Sequence, residues 1–300
     1  MRSGFQRPGD GRATDPRRAA ILGIALVLSA LAFYEVRMAP AASVDRHPEV
    51  LPANTIQRTY VPPPARPRLG PAALHRQLAS SAAALRGVLS YAGGGSVLDR
   101  DGYTSIAVQY VAPDRVDVTW MHKGRAVDLM SLGDQTAFIR ATPDYWPRFG
   151  LSRSLARRLN GIWVSLGAAN AARMARLAQQ FVPATIAHCL LAAAGTLHDG
   201  GTAAADDGAQ IIRFAGDVPG GARGLVHVAA KGAPYPTKIA EWGRPRGGVP
   251  DPRCPAPGSG VRSQILGISS IDQEVTIVPP ASAPSFERLA AALHRERTPS

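Results

Sequence analysis

The sequence contains few of the residues on which many protein activities depend. Its 300 residues include only two cysteines, which excludes a disulfide-framework miniprotein and a multi-cysteine zinc or iron–sulfur site. It also lacks a Gly-x-Ser-x-Gly elbow, a His-Glu-x-x-His helix, a Walker loop and a Gly-x-Gly-x-x-Gly turn. The seven histidines are scattered, and no two have the spacing of a metal-binding helix face. We therefore expect no catalytic residue, no metal and no cofactor, and we predict that the protein is not an enzyme.

The composition excludes further classes of protein. Apolar residues make up 45% of the chain, which is too many for a wholly disordered protein and too few for a multi-span membrane protein. Lysine and arginine outnumber aspartate and glutamate by 34 to 22, giving a net charge of +12. These basic residues are dispersed along the chain and are not interleaved with aromatic residues. Nucleic acid is therefore not expected as a partner.

The N-terminus carries a candidate membrane anchor. Residues 1–18 are polar and contain five arginines, and the sixteen residues Ala19–Tyr34 are uncharged and mostly apolar. A helix of sixteen residues covers about 24 Å of a hydrocarbon core that is about 30 Å thick. We predict a cytoplasmic tail at 1–18, a transmembrane signal-anchor helix at 19–38 and an extracytoplasmic main domain, because arginines favour the cytoplasmic side. A cleaved signal peptide and a buried soluble helix are the alternatives.

The rest of the chain divides into three parts. Residues 39–71 are rich in proline and are predicted to form a linker. Residues 72–280 are predicted to form the extracytoplasmic domain, and 281–300 a C-terminal helix and tail. Within that tail Ser285–Arg297 reads as an amphipathic helix, with Phe286, Leu289, Ala290 and Leu293 on one stripe. The sequence does not decide whether this helix docks on the domain or lies at a surface.

The domain has the pattern of an α+β fold. Its helices are predicted at Ala72–Gly87, Ala171–Phe181 and Ala184–Ala194 from apolar residues at helical spacing. Alternation of apolar and polar residues predicts strands at Thr104–Val111, Arg115–Met121, Arg125–Leu132, Gln135–Ala141, Ile162–Leu166, Gln210–Ala215, Gly224–Ala230, Thr237–Trp242, Gln264–Ser270 and Glu274–Val278. The strands are short and separated by turn residues, so we expect an antiparallel sheet. The second and third helices form one block and do not alternate with strands, which excludes a nucleotide-binding α/β fold.

The two cysteines are predicted to form a disulfide. Cys189 lies in an apolar helical segment and Cys254 in a loop rich in proline and glycine. An oxidising compartment outside the cytoplasm favours a bridge between such a pair. Two free thiols are the alternative.

Several motifs of the domain resemble those of a known family. In chain order they are a Gly-Asp turn before an aromatic-containing strand, the pair Tyr145-Trp146, the strand Gly161-x-Trp163-Val164, the turn Gly232-x-Pro234-Tyr235-Pro236, and cysteines at positions like those of Cys189 and Cys254. In this order and spacing the chain resembles the actinobacterial envelope lipoproteins of the LppX and LprG type, which belong to the LolA/LolB-like superfamily. The resemblance covers roughly residues 72–280.

The resemblance implies a fold and a function. The implied fold is a curved antiparallel sheet, a LolA-like half-barrel, wrapped on a block of helices. Together the sheet and the helices enclose an apolar cavity. The implied function is non-enzymatic binding of a lipid or another apolar ligand at the cell envelope. Family members are anchored through an N-terminal lipidated cysteine, whereas the first cysteine here is Cys189, so we expect the predicted transmembrane helix to replace the lipid anchor. Eight candidate residues line the expected pocket: Val116, Val118, Trp120, Val127, Leu129, Leu177, Phe181 and Ile186.

Two other functions remain as alternatives. The first is a regulatory or interaction module that senses the envelope state through a partner membrane protein. The second is a structural protein whose core is filled by its own side chains. The expected partners are thus a lipid or other apolar ligand, the cytoplasmic membrane and, in the first alternative, a membrane protein.

Overall fold

The computed structural model describes most of the predicted domain. The described residues are 66–133, 135–149, 151–205, 208–218, 221–243, 249, 251–254, 261–289 and 291. The predicted cytoplasmic tail at 1–18, the predicted transmembrane helix at 19–38 and most of the linker at 39–71 lie outside them. Among the described residues no helix combines the length and the apolar character needed to span a bilayer.

Four helices and eleven strands build the described part of the chain. The helices are α1 (Pro71–Arg86), α2 (Arg153–Arg158), α3 (Ala168–Ala178) and α4 (Pro183–Ala193). The strands are β1 (Ser90–Leu98), β2 (Tyr103–Val111), β3 (Arg115–His122), β4 (Arg125–Leu132), β5 (Ala137–Ala141), β6 (Val164–Leu166), β7 (Leu197–Ala204), β8 (Gln210–Asp217), β9 (Arg223–Ala229), β10 (Pro236–Trp242) and β11 (Ser263–Ser269). Short 3₁₀ turns occupy Trp146–Phe149 and Gln179–Phe181.

All eleven strands join one open antiparallel sheet. Their order is β6-β5-β4-β3-β2-β1-β11-β10-β9-β8-β7. Two meanders, β1 to β6 and β7 to β11, therefore meet where β1 pairs with β11. The predicted α+β class and the antiparallel sheet with a few helices are confirmed.

Glycines mark places where the sheet backbone comes close to another chain segment. A side chain at Gly95 of β1 would overlap the Ile265 carbonyl of β11, and one at Gly216 of β8 would overlap the Thr196 carbonyl. Glycine inside a strand is typical of tight bends and of close backbone approach. The close packing of β1 on β11, where the two meanders meet, thus depends on the absence of a Cβ atom.

One face of the sheet packs on the helices. Helix α1 begins at Pro71, which suits the first helical turn, and it buries a stripe of Leu74, Leu78, Ala82 and Leu85. This stripe joins the main core, which includes buried side chains of α4 and of strands from both meanders. Helix α1 packs against α4, and α3 lies against β3, β4, β5 and β6.

A second core lies at the β4–β6 end of the sheet. Trp146 is fully buried there, and its indole N–H donates to the Ala141 carbonyl at 3.1 Å. Phe286 of the C-terminal segment is buried in the same cluster. Glu287 accepts a hydrogen bond from the Gly167 N–H at 2.9 Å. The start of the predicted C-terminal helix therefore docks on the domain.

The structure corrects parts of the predicted order. Strands β1 and β7 and helix α2 are present but were not predicted. The predicted strand Glu274–Val278 is wrong, since these residues form no strand although Ile277 is buried. The preceding strand β11 is already paired with β1 on one side and β10 on the other, so no free sheet edge lies beside it for a following strand.

Candidate ligand-binding cavity

A cavity of about 630 Å³ lies between helix α4 and the inner face of the sheet. Its strand-borne walls are mostly apolar and include Ile106, Trp120, Val226, Ile239 and Leu266. Its helical wall consists of α4 and the 3₁₀ turn before it, through Phe181, Ile186 and Leu190. A cavity of this size and lining is typical of a site for a small apolar molecule.

The strand register explains where this cavity lies. Directly paired residues share one face of a sheet, and the pairing runs in one row from Trp120 through Ile106, Gly95, Leu266 and Ile239 to Val226. The glycine in the middle of this row contributes no side chain between Ile106 and Leu266. Bulky residues therefore stand on both sides of this glycine, and the cavity lies along them.

Polar groups gather in the next row of pairs, toward one end of the strands. There Gln264 of β11 pairs with Val97 on one side and with Glu241 on the other, and all three line the cavity. Burial raises the pKa of the Glu241 carboxyl, although the Ala222 N–H and the Gln264 side chain partly oppose the rise. The Oε2 atom of Glu241 is buried and has no hydrogen-bond partner among the described residues.

A short loop segment completes the wall at residues 251–254. Asp251 pairs with His188 of α4 at 2.6 Å between Oδ2 and Nε2, and also with Arg253 at 3.2 Å. Hydrogen bonds from Arg253, and next from His188, hold the pKa of the Asp251 carboxyl well below its usual range. Cys254 forms a disulfide with Cys189, with the two Cα atoms 5.4 Å apart. The predicted disulfide is confirmed, and it fastens this loop to α4.

A metal site is not formed by these residues. Ligand atoms of His188, Asp251 and Cys254 all lie within 4.8 Å of one another, as in a metal-binding cluster. A cysteine ligates as a thiolate, however, and the Cys254 sulfur is bonded to Cys189. Only a histidine and a carboxylate that already pair with each other remain, and two ligands fall short of the four of a structural zinc site.

The structure separates the eight candidate pocket residues into three groups. Trp120, Phe181 and Ile186 line the cavity, and the rings of Trp120 and Phe181 lie 6.3 Å apart between centroids. Val116 and Val118 are fully buried in the main core. Of the remaining three, Val127 lies in the second core, and Leu129 and Leu177 lie in a third cluster where α3 covers the sheet. These five residues do not line the cavity.

The cavity also uses residues that the sequence interpretation did not select. Ile239, Glu241, Gln264 and Leu266 belong to β10 and β11, two strands that the pattern did predict. The alternation of Ile239, Ala240 and Glu241 carries a usable signal, because Ile239 and Glu241 must share a face. This alternation does not indicate, however, that the shared face borders a cavity.

Comparisons with known proteins show which solved structures the chain is similar to. The lipoprotein LppX from Mycobacterium tuberculosis matches with 17% identity and a TM-score of 0.44, over 69% of this chain and 99% of LppX. LprF from Mycobacterium bovis matches with 14% identity and a TM-score of 0.43, over 72% of this chain and 100% of LprF. A putative outer membrane lipoprotein-sorting protein domain from Vibrio parahaemolyticus matches with 9% identity and a TM-score of 0.24, over 72% of this chain and 96% of that domain. Protein-family models and curated proteins gave no match. The motifs of this chain resemble those of LppX-type lipoproteins, and LppX and LprF are among the solved structures to which the chain is similar.

Proposed function

We propose that the protein binds a lipid or another apolar ligand in the cavity between α4 and the sheet, and that no bond is made or broken. The observation that carries the proposal is the hollow of about 630 Å³ with walls of aliphatic and aromatic side chains. Each methylene that moves from water into such a hollow contributes about 0.8 kcal/mol. Ten methylenes give a gross gain of about 8 kcal/mol, from which the entropic cost of association is subtracted.

The arrangement of the helices favours an open hollow rather than a core that is completely filled by side chains. Helix α3 lies directly on β3 to β6, where its Ala171 and Met174 pack against Leu129 and Ala137. Helix α4 packs chiefly on α1, and between α4 and β10 the space is left open. The same sheet face is therefore filled under one helix and hollow under the other.

We also propose that the domain lies outside the cytoplasmic membrane, held by a single transmembrane helix at residues 19–38 with its N-terminus inside. The arginines of residues 1–18 and the uncharged stretch Ala19–Tyr34 support this orientation. The disulfide supports an oxidising compartment, because such bridges are rare in the cytosol.

Native mass spectrometry of the full chain in detergent tests the binding proposal. The wild-type protein is expected to carry an apolar molecule that survives release from the micelle. Ile239→Trp places an indole in the cavity wall and is expected to lower the bound fraction at least fivefold. Val278→Trp is the matched control, because Val278 is 66% exposed and outside the lining, and it should leave the bound fraction unchanged.

Two results would contradict the proposal. One is a wild-type protein that stays ligand-free after incubation with an extract of lipids that carry C14 chains. The other is an equal bound fraction in Ile239→Trp and wild type. Recovery of one stoichiometric membrane protein with no bound lipid would instead favour the regulatory module that senses the envelope through a partner.

A further inference from the structure

The cavity has an apolar end and a polar end. The row from Trp120 to Val226 is aliphatic and aromatic, whereas the next row places Gln264 and Glu241 side by side. The polar row lies beside the apolar row, so a chain that follows the apolar row to β10 and β9 can turn its terminal group toward Glu241. A ligand matched to both ends is an amphiphile and not a pure hydrocarbon.

The charges at the polar end disfavour an anionic head group. Among the described lining residues the charged side chains are Glu241, Asp251 and Arg253. Arg253 donates to both carboxylate oxygens of Asp251, at 3.3 and 3.2 Å, and Asp251 also pairs with His188. Arg262 precedes β11 but is exposed and lies outside the lining. A carboxylate or phosphate placed beside Glu241 would thus approach a carboxyl group, and the cation among the described lining residues, Arg253, is already paired.

One of the two oxygens of the Glu241 carboxyl has no hydrogen-bond partner among the described residues. This oxygen, Oε2, is buried beside Gly221, so the carboxyl must rotate toward the cavity that Glu241 lines before a ligand can reach it. A buried polar atom without a partner is unfavourable, because it has lost its hydrogen bonds to water and gained none in return. A hydroxyl group relieves this cost in either state of the carboxyl, since it donates to a carboxylate and accepts from a carboxylic acid.

We propose that the cavity selects neutral amphiphiles with a hydroxyl-bearing end, and that the hydroxyl bonds to Glu241 while the chain lies along the row from Trp120 to Val226. This inference rests on the proposed binding function. In this proposal Glu241 determines which head group is bound, and the apolar row provides the affinity for the hydrocarbon chain.

A competition between two ligands with the same chain length tests this inference. The full-length protein in detergent is incubated at pH 7.4 with equimolar tetradecan-1-ol and tetradecanoate, and native mass spectrometry identifies the bound molecule by its mass. We expect about tenfold more bound alcohol than acid, a difference of about 1.4 kcal/mol, because the hydroxyl bonds to the Glu241 carboxyl and the carboxylate is repelled by it.

Three variants locate the source of the preference. Glu241→Leu removes the hydrogen bond and the negative charge, so the alcohol-to-acid ratio is expected to fall below threefold while total binding persists. Glu241→Gln keeps a group that donates and accepts, so it should bind the alcohol as wild type does but reject the acid less. Glu274→Leu is the matched control, because Glu274 is exposed and lies outside the cavity lining. It should keep the tenfold ratio.

The possible failures are distinguishable. Equal amounts of alcohol and acid on the wild-type protein, or a preference that Glu241→Leu retains, would overturn the head-group inference and leave the binding function standing. Absence of both ligands from the wild-type protein would overturn the binding function itself. Circular dichroism of each variant at 222 nm verifies that the altered ratio comes from a folded chain.

Discussion

Asp199 of β7 fixes the segment that leads into the domain. Its side chain is buried, and its carboxylate accepts hydrogen bonds from the Leu69 N–H at 2.6 Å and from the Gly201 N–H at 2.7 Å. The Arg66 guanidinium completes the set, at 3.0 Å from Oδ1 and 2.9 Å from Oδ2. One carboxylate thus ties residues 66–69, just before α1, to a strand about 130 positions later in the chain.

Replacement of Asp199 by Asn is expected to lower the free energy of unfolding by about 3 kcal/mol at pH 7. Breaking a buried ion pair costs about 3–5 kcal/mol, and the lower end applies because the Arg66 side chain is 24% exposed and can be hydrated. Asn also turns an amide N–H₂ toward one of the two backbone donors, so at least one of the hydrogen bonds to Leu69 and Gly201 is lost.

The loss of unfolding free energy in Asp199→Asn must depend on pH in a defined direction. Burial pushes the pKa of Asp199 upward, but the N–H groups of Leu69 and Gly201 and the Arg66 guanidinium outweigh it and hold that pKa below its usual range. The unfolded-state value is about 3.9. The stabilisation from the ionised group is therefore complete above about pH 4 and disappears as the pH falls through the folded-state pKa. Wild type and Asp199→Asn should differ at pH 7, and the difference should shrink as the pH falls below about 4.

Urea unfolding of the full chain in detergent, followed by circular dichroism at 222 nm, measures both effects. Asp101→Asn serves as the control, because Asp101 lies in the turn between β1 and β2, and it should change the free energy by less than about 0.5 kcal/mol. Equal stability of Asp199→Asn and wild type at pH 7 would refute the reasoning. A difference of 3 kcal/mol that persists unchanged at pH 2 would refute the electrostatic part alone.

Three further changes test other parts of the fold. Replacing both Cys189 and Cys254 by Ser opens a bridge between residues 65 positions apart, and should lower the free energy of unfolding by about 4 kcal/mol in urea titrations, or show no change if the bridge does not form. Trp146→Ala empties the centre of the second core and should cost about 3–5 kcal/mol, measured as a lower thermal midpoint, whereas a shift under 2 °C would contradict it. Gly95→Ala places a Cβ against the Ile265 carbonyl and should speed amide exchange in β1 and β11, with unchanged protection as the contrary result.

The sequence pattern predicts those elements in which apolar residues follow a regular period. Helix α1 was predicted to within a residue at each end, because its four buried residues recur at helical spacing between Pro71 and Gly87. Strand β3 was predicted over all but its last residue, because Val116, Val118 and Trp120 alternate with polar residues. In these elements local periodicity and tertiary burial agree.

The missed strands lack that period. Strand β1 contains Gly93, Gly94 and Gly95 in a row, and β7 contains Gly200 and Gly201, so neither shows an alternation of apolar and polar side chains. They are strands because their neighbours on both sides, or on one side at the edge, supply hydrogen bonds to their backbones. Such a strand is dictated by contacts distant in sequence, which no local pattern records.

Prediction of the candidate site from the sequence is limited in the same way, by contacts between elements that are distant in the chain. Alternation placed Val118 and Trp120 on the inner face of β3, and both do face the helices. Which of the two borders empty space depends on where the helices rest: Val118 pairs with Leu129 and Val108 and is enclosed, while Trp120 reaches the hollow under α4. That outcome requires α3 to lie on the sheet and α4 to pack on α1, an arrangement between elements that are far apart in the chain. A hollow is a property of helix placement, so the sequence can nominate the face that borders it but cannot select the residues that line it.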